Sequence, residues 1–141
     1  GISYTHYVDT FQAQVAEVSM SKRGKIKIHK VTCVADCGQV FNPHIARQQL
    51  EGAILYGLTA TLKGEINVQN GQVVQSNFDD YPMLKLKDTP EIKVHLLENN
   101  EAPGGIGEAG TPLVGPAVAN AVFAATGHRI RKLPIRRKDI I

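Results

Sequence analysis

Residues 42–62, NPHIARQQLEGAILYGLTATL, predict a long, mostly buried helix around which the rest of the fold can pack. Asn is a favoured N-cap and Pro is well tolerated in the first helical turn, so Asn42 and Pro43 predict the helix start. Large apolar residues then recur every four positions, and small residues add a side that another backbone can approach. The large residues are Leu50, Ile54, Leu58 and Leu62, and the small ones are Ala46, Ala53, Gly57 and Ala60.

The segment before this helix alternates between apolar and other residues, as strands with one buried face do. Phe11, Ala13 and Val15 begin the apolar series, with one slip at Ala16. A polar turn, SKRG at residues 21–24, leads into further alternation at residues 25–34. We therefore expect an antiparallel meander in which Phe11, Ala13 and Val15 lie on the buried face.

The segment after the helix predicts a hairpin, a strand and a second helix. Extended runs at 65–68 and 72–76 flank a turn signal at 69–71, and residues 91–97 alternate again. Thr111 and Pro112 repeat the cap-then-proline signature, and Gly127 ends the second helix. The predicted class is α+β, with antiparallel strands and two main helices in a single domain over residues 1–141.

Composition restricts the class of protein further. The chain has 141 residues, of which 43% are hydrophobic and 21% charged, ordinary values for a folded domain. No apolar run approaches the ~18 residues of a membrane span, so membrane insertion is not expected. The chain opens with Gly1 rather than Met, which suggests a piece of a longer protein. The sequence leaves the compartment open between cytoplasm and periplasm.

Cysteine, histidine and basic residues give no independent functional signal. Cys33 and Cys37 are expected to be free thiols near the core, and the five histidines show no metal-ligand spacing. The net charge is +3, with six basic residues between 129 and 138. A solvated terminal strand or tail is favoured there over a phosphate-binding or acidic-partner surface. Nucleic-acid binding is not expected, because interleaved aromatic residues are missing.

The loop ENNEAPGGIGEAGTP, residues 98–112, contains the spacing G-x-G-x-x-G at Gly105, Gly107 and Gly110. In a dinucleotide-binding fingerprint the helix begins within the motif, whereas Pro112 places the helix start after the third glycine. The glycines instead flank Glu108 and allow close backbone approach or left-handed torsions. From the residues alone, Glu108 is either a surface loop acid or a carboxylate that faces a ligand.

Two runs resemble the C-terminal region of the molybdenum subunits of the xanthine oxidase and aldehyde oxidase family. They are DCGQVFNPHIARQQLEGAILYGLTATL, residues 36–62, and residues 76–134, which include GGIGEAGTP. The similarity covers nearly the whole chain and is strongest with isoquinoline 1-oxidoreductase beta subunits and aldehyde dehydrogenase large subunits. Family subunits have several hundred residues, so the resemblance implies a C-terminal fragment.

The resemblance implies a role for Glu108 as the catalytic base beside the molybdenum, since a desolvated carboxylate is an effective base. It implies cofactor contacts for Gln49, Tyr56 and Gly107, although xanthine oxidase relatives carry Gln where this chain has Tyr56. No residue of the chain is expected to ligate the metal.

The implied cofactor of the full enzyme is molybdopterin cytosine dinucleotide, and none is expected on this chain alone. The implied partners are the remainder of the molybdenum subunit, an iron-sulfur subunit, and an aldehyde or N-heterocycle as substrate. The alternative is an excised, non-catalytic domain that folds and binds a partner without cofactor.

Asp79 and Asp80 do not predict a paired-carboxylate site, because adjacent acids in a strand point to opposite faces. The resemblance places them in an extended segment near the pocket.

Overall fold

Two α-helices pack on one face of a four-stranded sheet in the computed structural model, which describes residues 1–140. The strands of this sheet are β1 (Ile2–Tyr7), β2 (Thr10–Met20), β3 (Ile26–Asp36) and, later in the chain, β6 (Glu91–Leu97). The helices are α1 (Pro43–Leu62) and α2 (Thr111–Thr126). A small hairpin, β4 (Val68–Gln69) and β5 (Gln72–Val73), lies between α1 and β6. The α+β class is confirmed.

The order of strands in the sheet is β1-β2-β3-β6. The first three strands pair antiparallel, as predicted, but β6 pairs parallel with β3, for example at Val31 and Ile92. The predicted antiparallel meander is confirmed, and the parallel pair is a feature that the sequence did not predict. The reason is the crossover: α1 carries the chain back along the sheet, so β6 runs in the same direction as β3.

The predicted buried face of β2 was also wrong. Gln12 and Gln14 face the helices and are 1% and 0% exposed, whereas Phe11 is 45% and Val15 39% exposed on the opposite face. The two side-chain nitrogens have partners there: Gln14 Nε2 donates to the carbonyl of Gly110 at 2.8 Å, and Gln12 Nε2 donates to the sulfur of Cys33 at 3.1 Å. The two amide oxygens are buried without a partner within the described residues. Of these two inward side chains, Gln14 therefore holds the loop.

The core lies between the sheet and the two helices. It contains Leu50, Ile54 and Leu58 of α1, and β-branched residues of α2 and β3 pack against them. The small side of α1 permits the predicted close approach, since a Cβ at Gly57 would lie 2.5 Å from the carbonyl oxygen of Thr111. Gly57 is buried at this contact, and Thr111 is half-buried.

Both cysteines are buried free thiols, as predicted. Burial raises the pKa of Cys33 to about 11, against a smaller opposing effect of the Gln12 amide that donates to its sulfur. Burial also raises the pKa of Cys37, with a further contribution from the neighbouring charge of Asp36. Both thiols are therefore poor nucleophiles at neutral pH.

The two helix starts differ from one another. Asn42 caps α1 as predicted, because its Oδ1 accepts from the amide of Ile45 at 3.1 Å. Thr111 was predicted to cap α2 but is its first residue, and Gly110 occupies the cap position without a side-chain bond. The Thr111 hydroxyl instead donates to the carbonyl of Ala53 at 3.3 Å, so it joins the two helices. Gly127 ends α2 as predicted, with a φ of 76°.

The hairpin between α1 and β6 is shorter than predicted. Each strand contains two residues instead of four or five, and the turn is formed by Asn70 and Gly71, both with positive φ. Asp79 and Asp80 lie in a turn, not in an extended segment. The Asp80 carboxylate accepts from the amides of Ser76 and Asn77, which lowers the pKa of Asp80.

The basic C-terminal segment is neither a strand nor a loose tail in the described residues. Ile130, Ile135 and Ile140 are buried and attach the segment to the core. Arg129 lies over the ring of Phe123, and Arg136 pairs with Glu65. Across residues 1–140, neither helix combines the length and the apolar character needed to traverse a bilayer.

Candidate functional site

Glu108 lies in the loop of residues 98–110, which connects β6 to α2. Its carboxylate borders a shallow depression between this loop and one side of α1. Residues from both elements line the depression: Gln49, Gly52, Ala53, Tyr56, Gly107, Glu108 and Thr111. Three of the four site residues inferred from the resemblance, Gln49, Tyr56 and Gly107, are therefore adjacent to the fourth, Glu108.

The loop is held by the turn between β1 and β2 and by side chains of β2. The amide of Gly105 donates to the carbonyl of Val8 at 2.7 Å, and the Thr10 hydroxyl donates to the carbonyl of Gly105 at 2.9 Å. A Cβ at Gly104 would lie 2.4 Å from the carbonyl oxygen of Asp9. Loop and turn thus approach so closely that their backbones are in direct contact.

The loop glycines were expected to allow close backbone approach or left-handed torsions. The structure shows the close approach, and the expectation of left-handed torsions was wrong. Positive φ values occur at four other glycines and at none of Gly105, Gly107 and Gly110. A Cβ at Gly110 would lie 2.9 Å from the Cβ of Ala53, so Gly110 is needed for packing on α1. A Cβ at Gly107 would meet nothing within 4 Å, so the space beside Glu108 is open to a large ligand.

Tyr7 is a residue of this site that the sequence did not reveal. Its hydroxyl donates to Oε1 of Glu108 at 2.8 Å. The hydrogen bond to the carboxylate raises the pKa of Tyr7, and the negative charge adds to the effect. The two residues are 101 positions apart, and no motif joins them, so only the fold brings them together.

Gln49 and Tyr56 both project from α1 toward the loop but have different surroundings. The Gln49 amide donates to the carbonyl of Gly107, so it supports the loop next to Glu108. Tyr56 is 68% exposed at the border of the depression, where its ring is accessible to a ligand. The same helix therefore supplies one support for the loop and one exposed aromatic surface.

The residues that line the depression are suited to form one wall of a site for a bulky polar cofactor. They are not suited to bind a metal ion directly. Within residues 1–140 no group of three or more His, Cys, Asp or Glu could hold a metal ion. The depression offers a carboxylate, a phenol and the open backbone at Gly107.

The chain belongs to the family of molybdopterin cofactor-binding domains, whose model matches residues 2–90. It is 38% identical over 137 residues to the isoquinoline 1-oxidoreductase subunit beta of Brevundimonas diminuta. It is 39% identical over 133 residues to the membrane-bound, pyrroloquinoline-quinone aldehyde dehydrogenase of Gluconacetobacter polyoxogenes. These matches cover 96% and 94% of this chain, and they confirm the family resemblance predicted from the sequence.

The chain spans only 18% and 17% of the length of these two relatives. Among solved structures, quinoline 2-oxidoreductase from Pseudomonas putida 86 matches 93% of the chain with a TM-score of 0.83 and 26% identity. The aldehyde oxidoreductase from Desulfovibrio gigas matches 93% with a TM-score of 0.81 and 21% identity, which shows the fold alone. The architecture therefore matches one part of these much larger proteins.

Proposed function

We propose that the chain is the C-terminal domain, residues 1–141, of the molybdenum subunit of a molybdenum hydroxylase. The enzyme oxidises an aldehyde or N-heteroaromatic carbon with oxygen from water and passes electrons to an iron-sulfur subunit. The support comes from relatives named as isoquinoline, aldehyde and nicotinate oxidoreductases or dehydrogenases. When bound, molybdopterin cytosine dinucleotide supplies the two-electron redox chemistry.

The chemical role of this chain is proton transfer by Glu108. One observation carries this proposal: the carboxylate borders an open depression, and within the described residues only its Oε1 is hydrogen-bonded. Oε2 can then take up the proton that is released when oxygen from water is transferred to the substrate. General base catalysis of this kind contributes ~10²–10⁴-fold to a rate.

Three further residues would contact the cofactor. Tyr56 presents its exposed ring, Gly107 leaves backbone accessible, and Gln49 fixes the Gly107 carbonyl. Each of them borders the same depression as Glu108. The cofactor would therefore be in contact with α1 on one side and with the glycine loop on the other.

The remainder of the molybdenum subunit is the proposed partner of the outer face of the sheet. Ile2, Tyr4 and Phe11 are 62%, 64% and 45% exposed on that face, and Val15 pairs with Ile2 beside them. Contiguous apolar surface of this kind marks an interface. This interface also explains why the apolar alternation of β2 predicted the wrong buried face. In the larger subunit both faces of the sheet would be covered.

Replacement of Glu108 by Gln in the complete enzyme tests the proposal. Gln keeps the size of the side chain and removes its basicity, so kcat should fall by ~10²–10⁴-fold with unchanged molybdenum content. Glu101→Gln is the matched control, because Glu101 is an exposed acid of the same loop outside the depression. It should retain wild-type kcat.

A Glu108→Gln enzyme with full molybdenum content and most of its kcat would contradict the role of Glu108. The alternative is an excised, non-catalytic domain that folds and binds a partner without cofactor. Molybdenum content and dye-coupled aldehyde or isoquinoline oxidation, measured on this chain and on the complete subunit, compare it with the proposal.

A further inference from the structure

We propose that Tyr7 is a positioning residue for Glu108, which holds Oε1 so that Oε2 is the oxygen that takes up the proton. The inference rests on the proposed role of Glu108. The observation is the hydrogen bond of 2.8 Å from the Tyr7 hydroxyl to Oε1. A carboxylate on a loop can rotate about its side-chain bonds, and a donor fixed to one oxygen removes that freedom.

Tyr7 can hold the carboxylate because its own strand is fixed. It is the last residue of β1 and pairs with Thr10 of β2. At the other end of β1, the Ser3 hydroxyl donates to the carbonyl of Leu113 in α2 at 2.7 Å. The strand that carries Tyr7 is therefore attached both to the sheet and to the helix that follows Glu108.

The turn after Tyr7 is bonded to the loop of Glu108 as well. Val8 and Asp9 have φ values of 49° and 55°, a region that β-branched residues such as Val rarely adopt. Such torsions persist only where surrounding contacts determine them. Here the contact is the bond from the Gly105 amide to the Val8 carbonyl. Two consecutive residues, Tyr7 and Val8, thus bind the same loop on either side of Gly107.

The chemistry of the pair suits a positioning role. A hydrogen bond from a neutral phenol to a charged carboxylate is charge-assisted and stronger than one between neutral groups. The same contact raises the pKa of Tyr7, so the phenol keeps its proton and remains a donor throughout the neutral range. Tyr7 therefore orients the carboxylate and does not compete with it as a base.

Tyr7→Phe in the complete enzyme is the first test, because it removes the hydroxyl and keeps the ring. A misplaced catalytic group costs roughly 10- to 100-fold, so kcat should fall by about that factor while KM and molybdenum content stay near wild type. Tyr81→Phe is the matched control, because Tyr81 lies in the segment between α1 and β6 and does not line the depression. It should leave kcat unchanged.

A second test does not depend on turnover. Fluorotyrosine is placed at position 7 of the cofactor-free complete subunit, and its ionisation is followed by ¹⁹F NMR with Glu108 present and in Glu108→Gln. The midpoint should be lower in the variant, since the carboxylate raises the pKa of Tyr7. Fluorination lowers both midpoints equally, so the difference reports the contact.

The outcomes separate the two proposals. A Tyr7→Phe enzyme with wild-type kcat, or equal ¹⁹F midpoints in both backgrounds, overturns the inference on Tyr7 even when Glu108→Gln is inactive. A fully active Glu108→Gln enzyme overturns the proposed function, whatever the ¹⁹F titration gives. A loss of kcat in Tyr7→Phe together with a lower midpoint in Glu108→Gln supports both.

Discussion

The loop of residues 98–110 and the segment of residues 63–90 contain little regular structure, but they are held in different ways. Bonds from Tyr7, Thr10, Gln14 and Gln49, residues 58 to 101 positions away, hold the loop. The segment uses mainly neighbouring groups, such as the Asp80 carboxylate on the amide of Ser76. The candidate site therefore depends on the assembled fold, whereas the hairpin region depends on local turn chemistry.

The largest effect on stability is expected at Gly104, where the loop meets the β1–β2 turn. A Cβ would lie 2.4 Å from the backbone oxygen of Asp9, so Gly104→Ala should destabilise the fold by about 1–3 kcal/mol. Gly107→Ala is the matched control, because its Cβ would meet nothing within 4 Å and its φ is not positive. It should change the free energy of unfolding by less than about 0.5 kcal/mol. Urea unfolding of both variants measures the difference, and equal values would refute the close contact.

A smaller effect is expected when the buried amide that supports the loop is removed. Gln14→Leu leaves the Gly110 carbonyl without its donor, which should cost about 1 kcal/mol. Gln12→Leu should be close to neutral, because Gln12 donates only to the Cys33 sulfur. The buried amide oxygens of both glutamines have no partner within the described residues, so only the lost donor differs between the two variants. Thermal unfolding of the two variants tests this, and a larger loss in Gln12→Leu would contradict the assignment.

The smallest effect is expected in the local region, at Asp80. Its pKa lies below the ordinary value of 3.8 because the carboxylate accepts from the amides of Ser76 and Asn77. The stabilisation is therefore present above the ordinary value and is lost as the pH falls through the lowered pKa. The amide NMR signals of Ser76 and Asn77 should shift over that acidic range in the wild type and in Asp79→Asn. Asp80→Asn should lack the transition, and a transition that persists there would assign it to another group.

Features encoded by neighbouring residues could be predicted from the sequence. Asn42 caps α1 and Gly127 ends α2 because the capping side chain or the left-handed torsion acts within one helical turn. The same holds for Asn70 and Gly71, whose positive φ values form the hairpin turn. At Thr111 the hydroxyl had an alternative partner on α1, and the local signature gave the helix start one residue too late.

Features that depend on distant residues could not be predicted in the same way. The apolar alternation at Phe11 and Val15 marks a strand with an apolar face but does not say which face the helices cover. The Gln14 side chain faces the interior, where it donates to the carbonyl of Gly110, 96 positions away in the sequence. The loop glycines singled out Glu108, but the choice between a surface acid and a catalytic base was made through the family resemblance. Tyr7 was missed because its contact with Glu108 is created by the fold.

The parallel pairing of β3 with β6 has a consequence for the order of folding. The hairpins β1–β2 and β2–β3 close short loops, whereas β6 must return across α1 and the hairpin segment before Ile92 meets Val31. The entropy lost on closing a loop grows with its length, and long-range pairing is slow. The glycine loop follows β6 and is bonded to the β1–β2 turn, so it can become ordered only after both ends of the sheet are in place. We therefore expect the loop that carries Glu108 to be among the last parts of the chain to acquire protection from hydrogen exchange during refolding.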